Sequence, residues 1–379
     1  MRVLLVGAGG YAANYIHILL NHDLSSVIWE GIVDPFYDAC KDKDQIDAMH
    51  IPVYDTMEEF YKHHEADLAI ISTPTFLHCE QCICALSHGS NALCEKPAAP
   101  TVKEVEKMIE AEQRYGKFIA IGYQWSFSDT MPRLKMDILR GVFGKPVSFK
   151  TAISWPRNRA YYGRGSGWGG RIEKDGHLIL DSIASNACAH YLHNMLFLLG
   201  DSMQTSTRVT EFKAECYRAN NIENFDTCYM QLKTENEVQL YFAATHASDK
   251  IRNPEFVYTF ENGTVFFSQD EGSKVIAKMK DGGEKNYGNP FENPFKKLWD
   301  CINAIEEGVS PVCTVTTAFM HVILIEEIYK TTPIFNFAKE YICIDDEKDA
   351  VYVTGLYELF YAAYEKEELF SKIRPEYIG

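Results

Sequence analysis

A short apolar run, Arg2–Val6, breaks into Gly7-Ala8-Gly9-Gly10-Tyr11-Ala12 and then into a helix-forming stretch. This strand–turn–helix junction constrains the chain more than any other feature. The spacing fits GxGxx[G/A], a weak signal alone that gains meaning from the strand before it and the helix after it. Gly7 permits a tight turn, Gly9 lets backbone approach a pyrophosphate, and Ala12 lets helix and strand pack closely. Gly10 and Tyr11 open the helix, whose leading N–H groups favour an anion. A second run ends Gly31-Ile32-Val33-Asp34. An acidic residue there accepts a hydrogen bond from a ribose 2′-hydroxyl and repels a 2′-phosphate. No arginine follows to compensate, so the junction predicts a dinucleotide site that takes NAD in preference to NADP.

The pattern beyond this junction predicts two domains, as does a length of 379 residues, since single cores stop growing near roughly 250–300 residues. Up to residue 124 short apolar runs (Arg2–Val6, 27–33, 67–72, 92–94, 117–122) alternate with helix-like stretches (10–21, 57–63, 76–88, Val102–Tyr115). That rhythm predicts a parallel α/β Rossmann sheet covered on both faces. Thr101 and Glu104 have the spacing of a capping box. From 125 to 379 the runs are longer and rich in β-branched and aromatic residues: 146–155, 205–218, 225–233, 237–246, 256–261 and 264–268. They predict an α+β domain with a largely antiparallel open sheet, in which Asn262-Gly263 turns a hairpin. Helices are expected at 183–199, 293–307 and 315–330. The tail from about residue 333 holds a strand-like run (341–344) and a helical one (356–370) without an evident role.

Composition excludes several classes. The formal charge of −16 and the absence of any basic run longer than a pair, such as Lys296-Lys297, argue against nucleic acid and anionic membranes. No stretch approaches the about 20 apolar residues needed to span a bilayer, and the run after Met1 is too short for a secretory signal. Eleven cysteines imply no disulfide framework. Cys79, Cys82 and Cys84 lack the further ligands a zinc site needs, and Cys79 and Cys82 fall on an apolar helical stripe with Ile83 and Leu86. No metal is expected, and the location expected is cytoplasmic.

Two strand ends carry chemistry: Ser72-Thr73-Pro74-Thr75-Phe76-Leu77-His78, and Cys94-Glu95-Lys96-Pro97. Here the chain resembles the glucose-fructose oxidoreductase / inositol dehydrogenase family (Gfo/Idh/MocA), which has TPxxxH and EKP at these places. The resemblance assigns Ser72, Thr73, Pro74, His78, Glu95 and Lys96 to the cofactor side of a site. It puts Lys96 beside the nicotinamide and the substrate hydroxyl, and a strand-end ammonium can indeed hold or polarise an oxygen. A second segment, Asp181 to Gly200, keeps the family's histidine–glycine spacing at His190 and Gly200. His190 is then implied as general acid/base, with His193 a weaker candidate. Asn186 stands where the family has aspartate, four residues before the histidine. An amide orients an imidazole or hydroxyl without supplying charge. Asp181 can supply that charge only if the helix begins after it. Gln124, Arg157, Tyr161 and Trp168, within aromatic–basic stretches at 122–125 and 155–170, are candidates for a carbohydrate-like pocket, since aromatic faces stack on sugars and arginine binds hydroxyls or carboxylates.

The expected activity is hydride transfer between NAD and a hydroxyl or carbonyl carbon of a sugar, polyol or sugar derivative, with Lys96 and His190 catalytic and Asn186 positioning them. Two rivals stand beside it: redox-neutral, NAD-dependent glycoside cleavage on the same residues, and a non-enzymatic ligand sensor, which the presence of Lys96 disfavours. The resemblance also implies a homodimer or homotetramer formed through the sheet of the second domain.

Overall fold

The computed structural model describes residues 1–21, 27–163 and 167–379. The chain opens with β1 (Arg2–Val6), α1 (Ala12–Asn21), β2 (Ile28–Val33), α2 (Lys43–Ala48), β3 (Val53–Tyr54), α3 (Met57–His63), β4 (Leu68–Ile71), α4 (His78–Ser87), β5 (Asn91–Cys94), α5 (Val102–Tyr115) and β6 (Ile119–Ile121). The six strands run parallel in the order β3-β2-β1-β4-β5-β6. This is a doubly wound sheet whose order reverses between β1 and β4, where ligands bind in such folds. Every residue of β4 and β5 is buried, as strands covered on both faces require. Both halves of the Thr101–Glu104 capping box form, and α5 stops at Gly116, which takes the left-handed conformation at φ 62°. The sequence pattern does not show α2 and β3, which at six and two residues are too short for a period to register.

The chain continues through α6 (Met131–Leu139), β7 (Pro146–Ser154), α7 (Arg159–Tyr162), a small hairpin of β8 (Glu173–Lys174) and β9 (His177–Leu178), and α8 (Ala189–Leu198). Seven strands follow: β10 (Val209–Arg218), β11 (Thr227–Thr234), β12 (Gln239–Thr245), β13 (Arg252–Phe260), β14 (Gly263–Ser268), β15 (Val275–Met279) and β16 (Glu284–Gly288). After α9 (Lys296–Glu307) and α10 (Val315–Thr331), the tail forms β17 (Ile334–Asn336), β18 (Ile342–Asp345), β19 (Ala350–Val353), α11 (Leu356–Lys366) and α12 (Phe370–Ile373). Nine strands make one sheet, ordered β16-β15-β14-β13-β7-β12-β11-β10-β17. Its pairs are antiparallel except β7 with β12 and β10 with β17.

Two compact units result: Met1–Tyr123 with Phe295–Val322, and Gln124–Pro294 with Ile323–Gly379. A single boundary at 124 thus misses a return of the chain. Within the first unit the Ile121 N–H donates to the Cys313 carbonyl at 3.0 Å, and the Tyr123 hydroxyl meets His321 Nδ1 at 3.1 Å.

Three local expectations shift. The β13–β14 hairpin turns on Glu261 and Asn262, because Phe260 pairs with Gly263. Gly263 is needed inside the strand instead, since a Cβ there would come within 2.8 Å of the Lys278 carbonyl on β15. The helix expected over 183–199 divides into a π-helical turn, Ile183–Ala187, and α8, with Cys188 between them. The helix expected over 356–370 ends at Lys366, where Glu367 takes the left-handed conformation at φ 55°.

The tail packs on its own unit's sheet. Tyr217, Tyr229, Tyr241, Ala152 and Ala243 form one buried cluster with Phe337, Val353, Leu356, Phe360, Ala363 and Phe370, so the tail covers that face across β7, β12, β11 and β10. Cys79 and Cys82 are buried on α4, and all eleven cysteines are free. Among the described residues no helix is long and apolar enough to cross a membrane, and no group of three or more His, Cys, Asp or Glu is arranged to hold a metal ion.

Candidate active site

In the first unit the glycine-rich turn is fixed by its neighbours. Gly7 has φ +95°, its N–H donates to the Val33 carbonyl at 2.8 Å, and a Cβ there would lie 2.6 Å from the Ser72 carbonyl. Only glycine satisfies both demands. A Cβ at Gly9 would meet no atom within 4 Å, so backbone there is open to a phosphate, and Ala12 is buried against the sheet. Gly10, at φ +58°, completes the turn. Asp34 ties turn to strand: its carboxylate accepts the Ala8 N–H at 2.6 Å and the Phe36 N–H at 2.8 Å. Each carboxylate oxygen keeps a lone pair for a further donor such as a ribose hydroxyl. These features fit a dinucleotide.

The strand ends that follow are locked to each other. The His78 ring lies between two carbonyls, Pro97 O at 2.9 Å from Nδ1 and Thr73 O at 3.0 Å from Nε2. Burial lowers its pKa despite those bonds, and a neutral ring donates to one of the two. His78 therefore braces the two loops. Thr73 also donates to Gln81 Oε1 at 2.5 Å, and the Ser72 N–H bonds the Val6 carbonyl at 2.9 Å.

Beneath Lys96 lies a charge network that sequence reasoning misses. Glu95 is 7% exposed and Lys297, the first-turn lysine of α9, is 1% exposed. The two form an ion pair, and the Tyr15 hydroxyl donates to the same Glu95 oxygen at 2.7 Å. Burial pushes the Glu95 carboxyl up, but Lys297, Tyr15 and Lys96 pull it below its ordinary value. Burial likewise opposes the Lys297 charge, and Glu95 with Tyr11 restores it to above the usual lysine value. Tyr11, 41% exposed, carries the Lys297 ammonium 4.8 Å from its ring centroid and lies tilted at 35° to the Phe295 ring, 6.4 Å away. Gly122 leaves room for the pair, since a Cβ there would sit 3.0 Å from the Glu95 carboxylate. Lys96 follows directly on this anchored residue, and its own N–H meets Glu95 Oε2 at 3.4 Å. Lys297 stands 202 positions from Glu95, in the sequence's one Lys-Lys pair, and nothing local ties it to Glu95.

In the second unit Ser182 caps the π-helical turn by accepting the Ser185 N–H, which leaves Asp181 before the helix. Asp181 and Asn186 come together: the Asn186 amide donates to one Asp181 oxygen at 2.7 Å, and the Gly170 N–H donates to the other at 2.7 Å. His190 is half-buried in the first turn of α8. Asn186 lies in the π-helical turn and His190 in α8, with Cys188 between the two elements, so they do not share one continuous α-helical face as their spacing suggests. His193 is buried, with Nε2 3.2 Å from the Ser126 hydroxyl, and belongs to the core.

A recess in this unit is lined by Tyr161, Tyr162, Asp181, Ser182, Ile183, Ile222, Phe225 and His246. Gly170 shapes it. Its carbonyl accepts the N–H groups of Glu223 and Asn224 at 3.1 and 3.0 Å, and at φ +69° a Cβ would strike Ile222 at 2.8 Å. Arg157 joins the lining residues through the Tyr161 ring, 4.9 Å from its guanidinium. Gln124, half-buried at the start of a 3₁₀ turn, and Trp168 are not among the residues lining this recess. Arg164, at the end of the aromatic–basic stretch, lies outside the described residues.

Comparison with known proteins follows the same division. Residues 1–123 match the Gfo/Idh/MocA model, described as an oxidoreductase family with an NAD-binding Rossmann fold. This segment, about a third of the chain, is similar to the Gfo/Idh/MocA oxidoreductase family. Curated relatives include 2,7-anhydro-N-acetylneuraminate hydratase of Mediterraneibacter gnavus, 25% identical over 165 residues that make up 41% of this chain and 42% of the relative. Another is inositol 2-dehydrogenase of Salmonella typhimurium, 27% identical over 150 residues, 39% and 44% of the respective chains. The chain spans about half the length of the curated relatives it matches. Among solved structures, the WlbA dehydrogenase of Bordetella pertussis, in complex with NADH and UDP-GlcNAcA, superposes with TM-score 0.72 at 21% identity over 87% of this chain and 95% of that one. Levoglucosan dehydrogenase, in complex with NADH and levoglucosan, gives 0.70 at 16% over 87% and 96%. At these identities the likeness establishes the fold across both units.

Proposed function

We propose that this chain is an NAD-dependent oxidoreductase of the Gfo/Idh/MocA family that moves a hydride between the nicotinamide and the hydroxyl or carbonyl carbon of a sugar, polyol or sugar derivative. The observation that carries the reading is the anchored Glu95-Lys96 corner. A buried ion pair holds Glu95 at the end of β5, and that fixes the backbone from which the Lys96 ammonium acts. Bound NAD supplies the hydride acceptor or donor. In this reading Gly7, Gly9, Gly10, Tyr11, Ala12 and Asp34 hold the dinucleotide, with Ser72, Thr73, Pro74 and His78 shaping the adjoining loop. Lys96 polarises the reacting oxygen, and His190 gives or takes its proton. Asn186 is a positioning residue, backed by the Asp181 carboxylate it bonds. Arg157 and Tyr161 contact the substrate, and Gln124 and Trp168 are assigned there on the resemblance alone. The relatives acting on or bound to sugars and polyols support the substrate class.

NADH formation with NAD and NADP against a panel of sugars, polyols and glycosides tests the reading, with wild type and Lys96→Ala side by side. Lys96-dependent NADH formation supports it. Product release without net NADH would move the assignment to redox-neutral chemistry, and full activity in Lys96→Ala would remove the lysine from its role.

Free cysteines throughout suit a reducing compartment, and we place the protein in the cytoplasm. A homodimer or homotetramer is proposed on the resemblance alone. The tail covers part of the sheet face it would use, which leaves the surface around Phe266 on β14, 38% exposed. A monomer mass in light scattering would remove this part of the proposal.

A further inference from the structure

Charged side chains around the second unit's recess are mostly neutralised by partners. Arg159 bonds Asp349 and Asp346, each at 2.8 Å. Arg171 pairs with Glu223. Arg218 donates to Asn336 Oδ1 at 2.7 Å and to the Glu223 carbonyl at 2.6 Å. Arg157 is the exception. Its guanidinium lies 4.9 Å from the Tyr161 ring centroid and 5.5 Å from that of Trp155. Its backbone N–H is held by the His246 carbonyl at 3.2 Å. Its Nε is buried and has no hydrogen-bond partner among the described residues. Both Tyr161 and His246 line the recess.

A buried cationic donor without an acceptor is costly to keep, and a chain with 53 acidic residues against 37 basic ones does not lack acids to pair with it. Two aromatic faces hold the guanidinium plane in place, so little further ordering is needed when a planar oxyanion meets its fork of N–H groups. The recess also contains the Asp181 carboxylate, whose oxygens already accept the Gly170 N–H and the Asn186 amide. Those two donors offset part of its charge, so it does not bar an anion from the neighbouring Arg157 guanidinium. The guanidinium and its aromatic supports suit an oxyanion, carried on the substrate class of the reading above.

We infer that Arg157 is a specificity-determining residue that binds an oxyanion on the substrate, the carboxylate of a sugar acid or the phosphate of a sugar phosphate. The inference rests on the sugar-oxidoreductase reading for its substrate class and deepens it.

Calorimetric titration of the NADH-loaded protein tests it with matched probes: glucuronate, glucose 6-phosphate and glucose, and galacturonate against galactose. An oxyanionic sugar is expected to bind roughly ten- to hundredfold more tightly than its neutral partner, the weight of a charge-assisted hydrogen bond. Arg157→Gln should abolish that difference, and Arg157→Lys should recover part of it. Preference for the uronates assigns the carboxylate, and preference for the sugar phosphate assigns the phosphate. Equal binding of charged and neutral sugars, no binding by any charged sugar, or a preference that survives Arg157→Gln overturns the inference. NADH formation is followed in parallel. Arg157-dependent binding without any NADH formation would sink the dehydrogenase reading and leave the Arg157 assignment standing, whereas NADH formation from an oxyanionic sugar that is indifferent to Arg157 would sink only the latter.

Discussion

Asp34 and Glu95 are carboxylates at strand ends of the same sheet, and their surroundings give them different tasks. Asp34 is half-exposed and bonds two backbone N–H groups, which leaves it able to receive a ribose. Asp34→Arg should weaken NAD binding by at least roughly tenfold, about 1.4 kcal/mol, and shift preference toward NADP. Fluorescence titration with both dinucleotides checks this, and an unchanged preference would show that Asp34 does not meet the ribose. Glu95 is sealed with Lys297, and neither residue betrays the other in the sequence because their contact depends on a distant chain return. A third carboxylate gives a pH signature. The Glu112 carboxylate accepts the Ile119 N–H at 2.6 Å, yet burial pushes its pKa from 4.5 up to about 7. An acid with a raised folded value binds its proton more tightly when folded. Its stabilising contribution is full below pH 4.5 and is lost as pH rises to about 7. Glu112→Gln keeps the acceptor without the charge. The Tm difference between variant and wild type should be smallest in acid and grow in the variant's favour up to about pH 7; a difference independent of pH would contradict the assigned titration.

At the scale of elements, what was legible in the sequence is what is decided locally. The α5 cap is one such case, since Thr101 and Glu104 find each other three residues apart. The Thr101 hydroxyl accepts the Glu104 N–H at 3.3 Å, and the Glu104 carboxylate accepts the Thr101 N–H at 3.1 Å. Thr101→Ala should cost about 1 kcal/mol, read from the urea midpoint, and a loss of a few tenths would mean water replaces the cap. The glycine-rich turn and the EKP segment were legible for the same reason. Asn262-Gly263 shows where locality ends. The dipeptide favours a turn centred on itself, but Glu261 and Asn262 bond the Lys145 and Phe143 carbonyls at 2.9 Å, and this lateral pairing moves the turn back by one residue. The π-helical turn at Ile183–Ala187 is similar. Four-residue spacing between Asn186 and His190 reads as one helical face, whereas the Asp181–Asn186 bond and the Ser182 cap belong to a wider turn that periodicity does not reveal.

For the whole molecule, the informative segment is the one without a motif. The tail beyond Thr332 looks like an appendage in sequence, yet its aromatic and aliphatic side chains complete a core begun by β10, β11 and β12 more than ninety residues earlier. Phe360 is fully buried there, 5.6 Å from the Tyr229 ring. Tyr241 donates its hydroxyl to the Glu368 carbonyl at 2.8 Å, and Gln231 donates to that of Glu367 at 2.6 Å. Apolar burial and backbone bonding together make the tail part of the second unit's fold. Phe360→Ala removes most of one ring from this core and should destabilise the second unit by about 3–5 kcal/mol. The proposed dinucleotide site belongs to the first unit, so NAD affinity measured under native conditions should be unchanged. If the two units unfold in separate steps, only one transition moves. An unaltered unfolding profile would show that the tail is dispensable cover, and a loss of NAD affinity under native conditions would show that its influence reaches beyond the unit it packs on.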